Sequence, residues 1–138
     1  MTRFLTRPIR SAVGLAVLVL IVGPVSTWAS FDGSTPMLCA ISTIMECDSG
    51  GQCERHSSTD QPDVIFLRVD VKERKITGGK ARQTEIKSAA RMDGRLILQG
   101  GESGRGWTAT ITEETGRLAA GVVADDFTFA LFGACTNP

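Results

Sequence analysis

The chain has 138 residues, with 15 basic and 15 acidic side chains, one histidine and no tyrosine. That length holds one domain besides a targeting segment, and the scattered, balanced charge excludes the basic surface that nucleic acid requires. One histidine and no tyrosine also leave few general bases for catalysis.

Residues 1–29 follow the three-part plan of a secretory signal peptide. Arg3, Arg7 and Arg10 precede an apolar or glycine run from Ala12 to Val22, Pro24 breaks it, and Thr27 and Ala29 place small residues for cleavage after Ala29. The run is shorter than the roughly 20 apolar residues a spanning helix needs, so no stable membrane span is expected after cleavage. An arginine pair for twin-arginine export is missing, and Cys39 lacks the small preceding residue of a lipoprotein site. The expected location is therefore the bacterial periplasm or the exterior. Cleavage leaves residues 30–138 as a single domain with 12 basic and 15 acidic side chains, a net charge of −3.

Turn residues then punctuate short runs of period two. Met37 to Met45 reads as a strand with Cys39, Ile41 and Met45 on one face, and Asp48 to Pro62 reads as a long polar loop. Val64 to Val71 is a strand, Lys72 to Arg74 a turn, and Lys75-Ile76-Thr77 a short strand ended by Gly78-Gly79. Thr84 to Met92 fits a strand or a short helix. The Asp93-Gly94 pair that follows favours a strand, because it signals a type I′ hairpin returning through Arg95 to Gln99. Gly100 to Trp107 reads as a glycine loop. Trp107, Ala109 and Ile111 then alternate inward against threonines, Glu113 to Gly116 form a turn with a glycine bulge, and Arg117 to Ala124 return. Asp125-Asp126 begin another turn, and Phe127 to Cys135 is apolar on both faces, as in a covered central strand. The expected fold is all-β: one antiparallel meander of about eight strands, closed as a barrel or sandwich and stabilised by disulfides.

An even number of cysteines in a small exported chain is first read as disulfides. If Cys39 and Cys47 lie on one strand they are roughly 26 Å apart, at about 3.3 Å per residue, too far to bridge. Two patterns remain, 47–53 with 39–135 or 39–53 with 47–135. The first is favoured because Gly50-Gly51 lets Cys47–Cys53 close on itself.

The string CDSGGQCERH, residues 47–56, invites two catalytic readings. Asp48 to Gly51 resembles the nucleophile string of trypsin-like proteases, but the only histidine, His56, lies downstream instead of upstream, and 109 residues cannot hold two barrels. Cys47, Cys53 and His56 carry metal donor atoms, yet they lack paired C-x-x-C spacing and an evident fourth ligand. Asp48 and Glu54 lack the calcium ladder. His56 reads as exposed. No catalytic residue, metal or cofactor is assigned, and the chain reads as a non-enzyme.

The candidate partner-binding residues are Ser103, Gly104, Arg105 and Trp107, because binding often resides on loops of a rigid β scaffold and arginine and tryptophan dominate interface hot spots. In plan the chain resembles periplasmic inhibitors of C-type lysozyme, with Cys39 and Cys135 near the domain ends and Ser103-Gly104 in a loop. That resemblance implies a small barrel whose loop enters a lysozyme cleft. The chain departs from the family in having Trp107 where a tyrosine is usual and in lacking a downstream Trp-Lys-Gly. Over most of residues 30–138 it also resembles small exported proteobacterial proteins with no assigned activity. The shared elements are the Cys-Asp-x-Gly-x-x-Cys of 47–53, the FLRVD of 66–70, the DGRLILQG of 93–100 and the FGACT of 132–136.

The expected function is a periplasmic or secreted, non-catalytic binding module of unknown partner. Two specific forms follow: an inhibitor of a lysozyme or protease acting through residues 100–107, or a carrier of a small apolar ligand with Leu96, Leu98, Phe129 and Leu131 around its cavity.

Overall fold

A computed structural model describes residues 30–57 and 62–138. Residues 1–29, expected to form a signal peptide, lie outside the described residues. Nine strands follow in order: β1 (Met37–Asp48), β2 (Cys53–His56), β3 (Phe66–Asp70), β4 (Lys75–Thr77), β5 (Gln83–Met92), β6 (Arg95–Glu102), β7 (Arg105–Thr112), β8 (Arg117–Val123) and β9 (Phe127–Thr136). A single helical turn, α1 (Pro62–Ile65), precedes β3. All pairings are antiparallel. β1 and β3 to β9 run in sequence around the sheet, and β9 returns to β1, closing an eight-stranded barrel. β2 is a ninth strand attached to β1.

β1 is the seam. One edge pairs with β9 from Leu38 to Asp48. The opposite edge is divided, with Met37 to Ala40 on β3 and Ile44 to Cys47 on β2. A register shift between Ile41 and Thr43 reverses the side-chain phase. Met37, Cys39 and Ile41 point inward before it and Ile44 after it, which leaves Met45 half-buried instead of inward as its spacing predicted. Both disulfides, Cys39–Cys135 and Cys47–Cys53, join directly opposed residues. Gly133 lies opposite Ile41, where a Cβ would come within 2.1 Å of the Ala40 carbonyl oxygen, so only glycine fits the seam.

Asp93 and Gly94 have φ of 51° and 72°, as a type I′ turn requires, and residues 84–92 are strand throughout. Four expectations need correction. The loop from 48 to 62 contains β2, because the Cys47–Cys53 hairpin folds back on β1. Val64 and Ile65 belong to α1 and Val71 to the next turn, so β3 is shorter than expected. The residues from Gly100 to Trp107 are almost all strand, closed by Ser103-Gly104 alone at φ 51° and 77°. β9 is covered on one face only, since Phe132 and Ala134 are exposed.

Inward residues form tiers across β6, β7, β8 and β9. Leu96, Ile111, Leu118 and Gly133 make the first, Leu98, Ala109, Ala120 and Leu131 the second, and Gly100, Trp107, Val122 and Phe129 the third. The end beside the first tier is plugged by Phe31, which is buried and donates its N–H to the Glu113 carbonyl at 3.0 Å. Arg91 grips the Glu113 carboxylate through Nε at 2.8 Å and Nη2 at 2.6 Å, and Asp32 Oδ2 lies 3.9 Å from Arg91. The Arg91 hydrogen bonds hold the Glu113 carboxyl below its ordinary value of 4.5. Hydrogen bonds from Ser34 hold Asp32 low as well.

Two outcomes are expected. Replacing both Cys39 and Cys135 by alanine should cost about 4–5 kcal/mol in urea unfolding of the oxidised protein, against about 2 kcal/mol for Cys47 and Cys53, because the first bridge closes the far longer loop. Because the folded-state pKa of Glu113 is depressed, its contribution is complete above its ordinary value and is lost as pH falls through the lowered one. Glu113→Gln should therefore flatten the acid limb of the urea midpoint plotted against pH, and an unchanged limb would contradict the pairing.

Candidate functional site

A cavity of about 300 Å³ opens inside the barrel above the first tier. Its origin can be read from the second tier. Leu98 and Leu131 flank Ala109 and Ala120, so two adjacent strands present only methyl groups where the tiers below and above carry larger side chains. Ile111 and Leu118 form the floor, and Trp107 and Val122 the upper wall. Across the barrel, Ile41, Val69 and Ile76 complete the lining together with Val64 of α1 and Leu67 of β3.

Trp107 is half-buried, and its ring occupies the space that a side chain at position 100 would fill. A Cβ on Gly100 would come within 2.3 Å of the indole and 2.4 Å of the Glu85 carbonyl oxygen. The indole Nε1 donates to Thr84 Oγ1 at 3.1 Å. That bond satisfies the polar edge of the largest wall residue and leaves its hydrocarbon face to the cavity.

The mouth lies between the β4–β5 connection and the β6–β7 hairpin. Exposed Arg82 and Gln83 border one side, and exposed Glu102, Ser103 and Arg105 the other. In the short 3₁₀ turn at Gly79–Ala81, beside Arg82, Lys80 and Ala81 have φ of 50° and 57°. Left-handed backbone at a non-glycine residue costs roughly 1–2 kcal/mol, so the connection at the rim is strained.

Of the sequence-predicted binding residues, Ser103, Arg105 and Trp107 therefore meet around one cavity mouth, with Gly104 at the hairpin apex. They form a rim and a wall instead of a projecting loop. Of the four residues expected to line a cavity, Leu98 and Leu131 do so, whereas Leu96 and Phe129 do not line it. Arg82, Gln83 and Thr84 were not anticipated. The signal for the cavity was alanine at the central inward position of both Trp107-Ala109-Ile111 and Leu118-Ala120-Val122.

Residues 47–56 form a different structure. Ser49 sits in the hairpin turn with its N–H on the Asp126 carbonyl at 3.0 Å, and Asp48 Oδ1 accepts from the Gln52 N–H at 2.9 Å. His56 closes the far end of β2, about 10 Å along the strand from Cys53, so the hairpin does not bring it to Ser49. His56 is half-buried, not exposed as expected, and its Nε2 lies 2.9 Å from Glu46 Oε2. Among the described residues, no three His, Cys, Asp or Glu side chains group as metal ligands. No helix among them is long and apolar enough to cross a membrane.

Fold and site together define a disulfide-bridged, eight-stranded antiparallel barrel with an apolar interior cavity. The chain matches no family model, no curated protein and no solved structure.

Gly100→Ala is expected to push the indole out of the wall. The cost should be about 1–3 kcal/mol, as for other overpacked sites, with Trp107 emission shifted to the red. Unchanged emission would contradict the stacking.

Proposed function

We propose that the protein is an exported, non-catalytic binding protein that carries a small apolar ligand inside its barrel. The observation that carries this reading is the apolar cavity produced by Ala109 and Ala120. Its volume falls at the lower end of the range for small-molecule sites, roughly 300–1,000 Å³. Water in such a space finds few partners, because Trp107 and Thr84 already bond to each other and the remaining inner wall is mostly hydrocarbon. An apolar ligand that displaces that water removes wall and ligand surface from water together. The strained rim at Lys80 and Ala81 supports a functional mouth, since strain of this kind concentrates at ligand-binding segments.

Export is supported by the signal-peptide pattern and by two disulfides, which persist in oxidising compartments. The inhibitor reading draws less support. Strand pairing continues to Glu102 and Arg105, so the hairpin has a two-residue turn and no long arm to insert into a cleft.

The test uses the full chain carrying Trp28→Phe, which leaves Trp107 as the only indole. Titration with decanol should change Trp107 emission, and solvent extraction of the natively purified protein should release an apolar molecule. Ala120→Phe should fill the cavity and weaken decanol binding by about tenfold or more while far-ultraviolet circular dichroism is retained. A folded Ala120→Phe that binds like the parent, or a parent that binds no apolar molecule, would contradict the proposal.

A further inference from the structure

The polar residues of the mouth narrow the ligand class, on the assumption that the apolar cavity is a ligand site. The charged side chains on the cavity lining are Arg82, Glu102 and Arg105, two cations against one anion. Arg82 and Arg105 approach the mouth from opposite sides, one from the β4–β5 connection and one from the first residue of β7. Among the described residues neither guanidinium has an ion-pair partner within 4.0 Å, although Glu102 and Arg105 are directly opposed in the hairpin. Arg91, by contrast, holds Glu113, and Lys87 holds Glu85. Two uncommitted guanidinium groups at the mouth of a hydrocarbon-lined space are an arrangement that a purely apolar ligand does not use.

We infer that the natural ligand is a single-chain amphiphile with an anionic, carboxylate-type head. Its tail lies against the Ala109 and Ala120 methyl groups, and its head stays at the rim between Arg82 and Arg105. A guanidinium presents paired N–H donors that match the two oxygens of a carboxylate, and such charge-assisted bonds are stronger than neutral ones. Gln83 and Ser103 on the same rim supply neutral donors. The small volume admits one short chain and excludes a two-chain lipid. A carboxylate at the exposed rim keeps its remaining hydration, so the charge is not buried without compensation.

Decanoate and decyltrimethylammonium below their micellar concentrations, and decanol below its solubility limit, distinguish the head from the tail. Binding to the full chain with Trp28→Phe is read from Trp107 emission at neutral pH. Decanoate is expected to bind about tenfold more tightly than decanol, with the cation weakest, and added salt should narrow the gap. In the Arg82→Gln, Arg105→Gln double variant, decanol affinity should hold while the decanoate preference falls below about threefold. Glu102→Gln should strengthen decanoate about twofold to threefold.

Equal binding of decanoate and decanol, or tightest binding of the cation, would overturn the assignment of the head and leave the apolar-cavity reading standing. Failure of both decanol and decanoate to bind would overturn the cavity reading, and this inference with it. An arginine double variant that loses decanol and decanoate alike would assign the arginines to the shape of the rim instead of to the head group, again against the inference.

Discussion

The rest of the structure depends on the pairing of β1 with β9. A meander of short strands has two open edges, and each edge is a row of unpaired backbone donors and acceptors. Here the first and last barrel strands meet along nearly the whole of β1 and are joined by Cys39–Cys135. The approach is close enough that Gly133 tolerates no side chain against the Ala40 carbonyl. The bulge near Ser42 lets the same strand serve β3 with one half and β2 with the other, and it turns Ile44 into the core.

Closure makes an inside, and the inward residues make its two ends different. At one end Phe31, Leu96 and Ile111 fill the space, and the Arg91–Glu113 pair lies beside the plug. Toward the other end the second tier falls to Ala109 and Ala120, and the third is carried by Trp107 over Gly100. A barrel of eight strands is just wide enough for its side chains to fill, so two alanines on neighbouring strands suffice to leave a cavity. The CDSGGQCERH segment belongs to the outer hairpin on β1. Its disulfide fixes β2 in register, and His56 faces Glu46 across that hairpin.

Much of this was legible in the chain. Asp93-Gly94 announced its hairpin because few residue pairs adopt positive φ twice, and the alternation from Trp107 to Thr112 announced its inward face because the side-chain period of a strand is two. The length of a strand ruled out Cys39–Cys47, and the Gly50-Gly51 turn favoured the pairing of Cys47 with Cys53 and of Cys39 with Cys135 that the structure has. Gly100 to Trp107 was legible as a connection but not as two strands closed by a two-residue turn, since glycines at 100, 101 and 106 look like loop until a partner strand pairs them. Strand β2 was hidden for a similar reason: Cys53 to His56 shows no apolar alternation, and only its ladder to β1 makes it a strand.

By itself, then, the sequence determined the all-β class and most of the strands and turns, and narrowed the disulfides to two patterns, because backbone sterics, period-two patterning and chain length act locally. The register of β1 on β9, the phase of Ile44 and the meeting of Arg82 with Arg105 around one mouth were decided only by the tertiary structure. Each depends on residues far apart in the chain, and the phase of Ile44 also on a bulge in β1 that no local propensity announces. The cavity belongs with these: Ala109 and Ala120 are unremarkable small residues until strand register sets them side by side between Leu98 and Leu131.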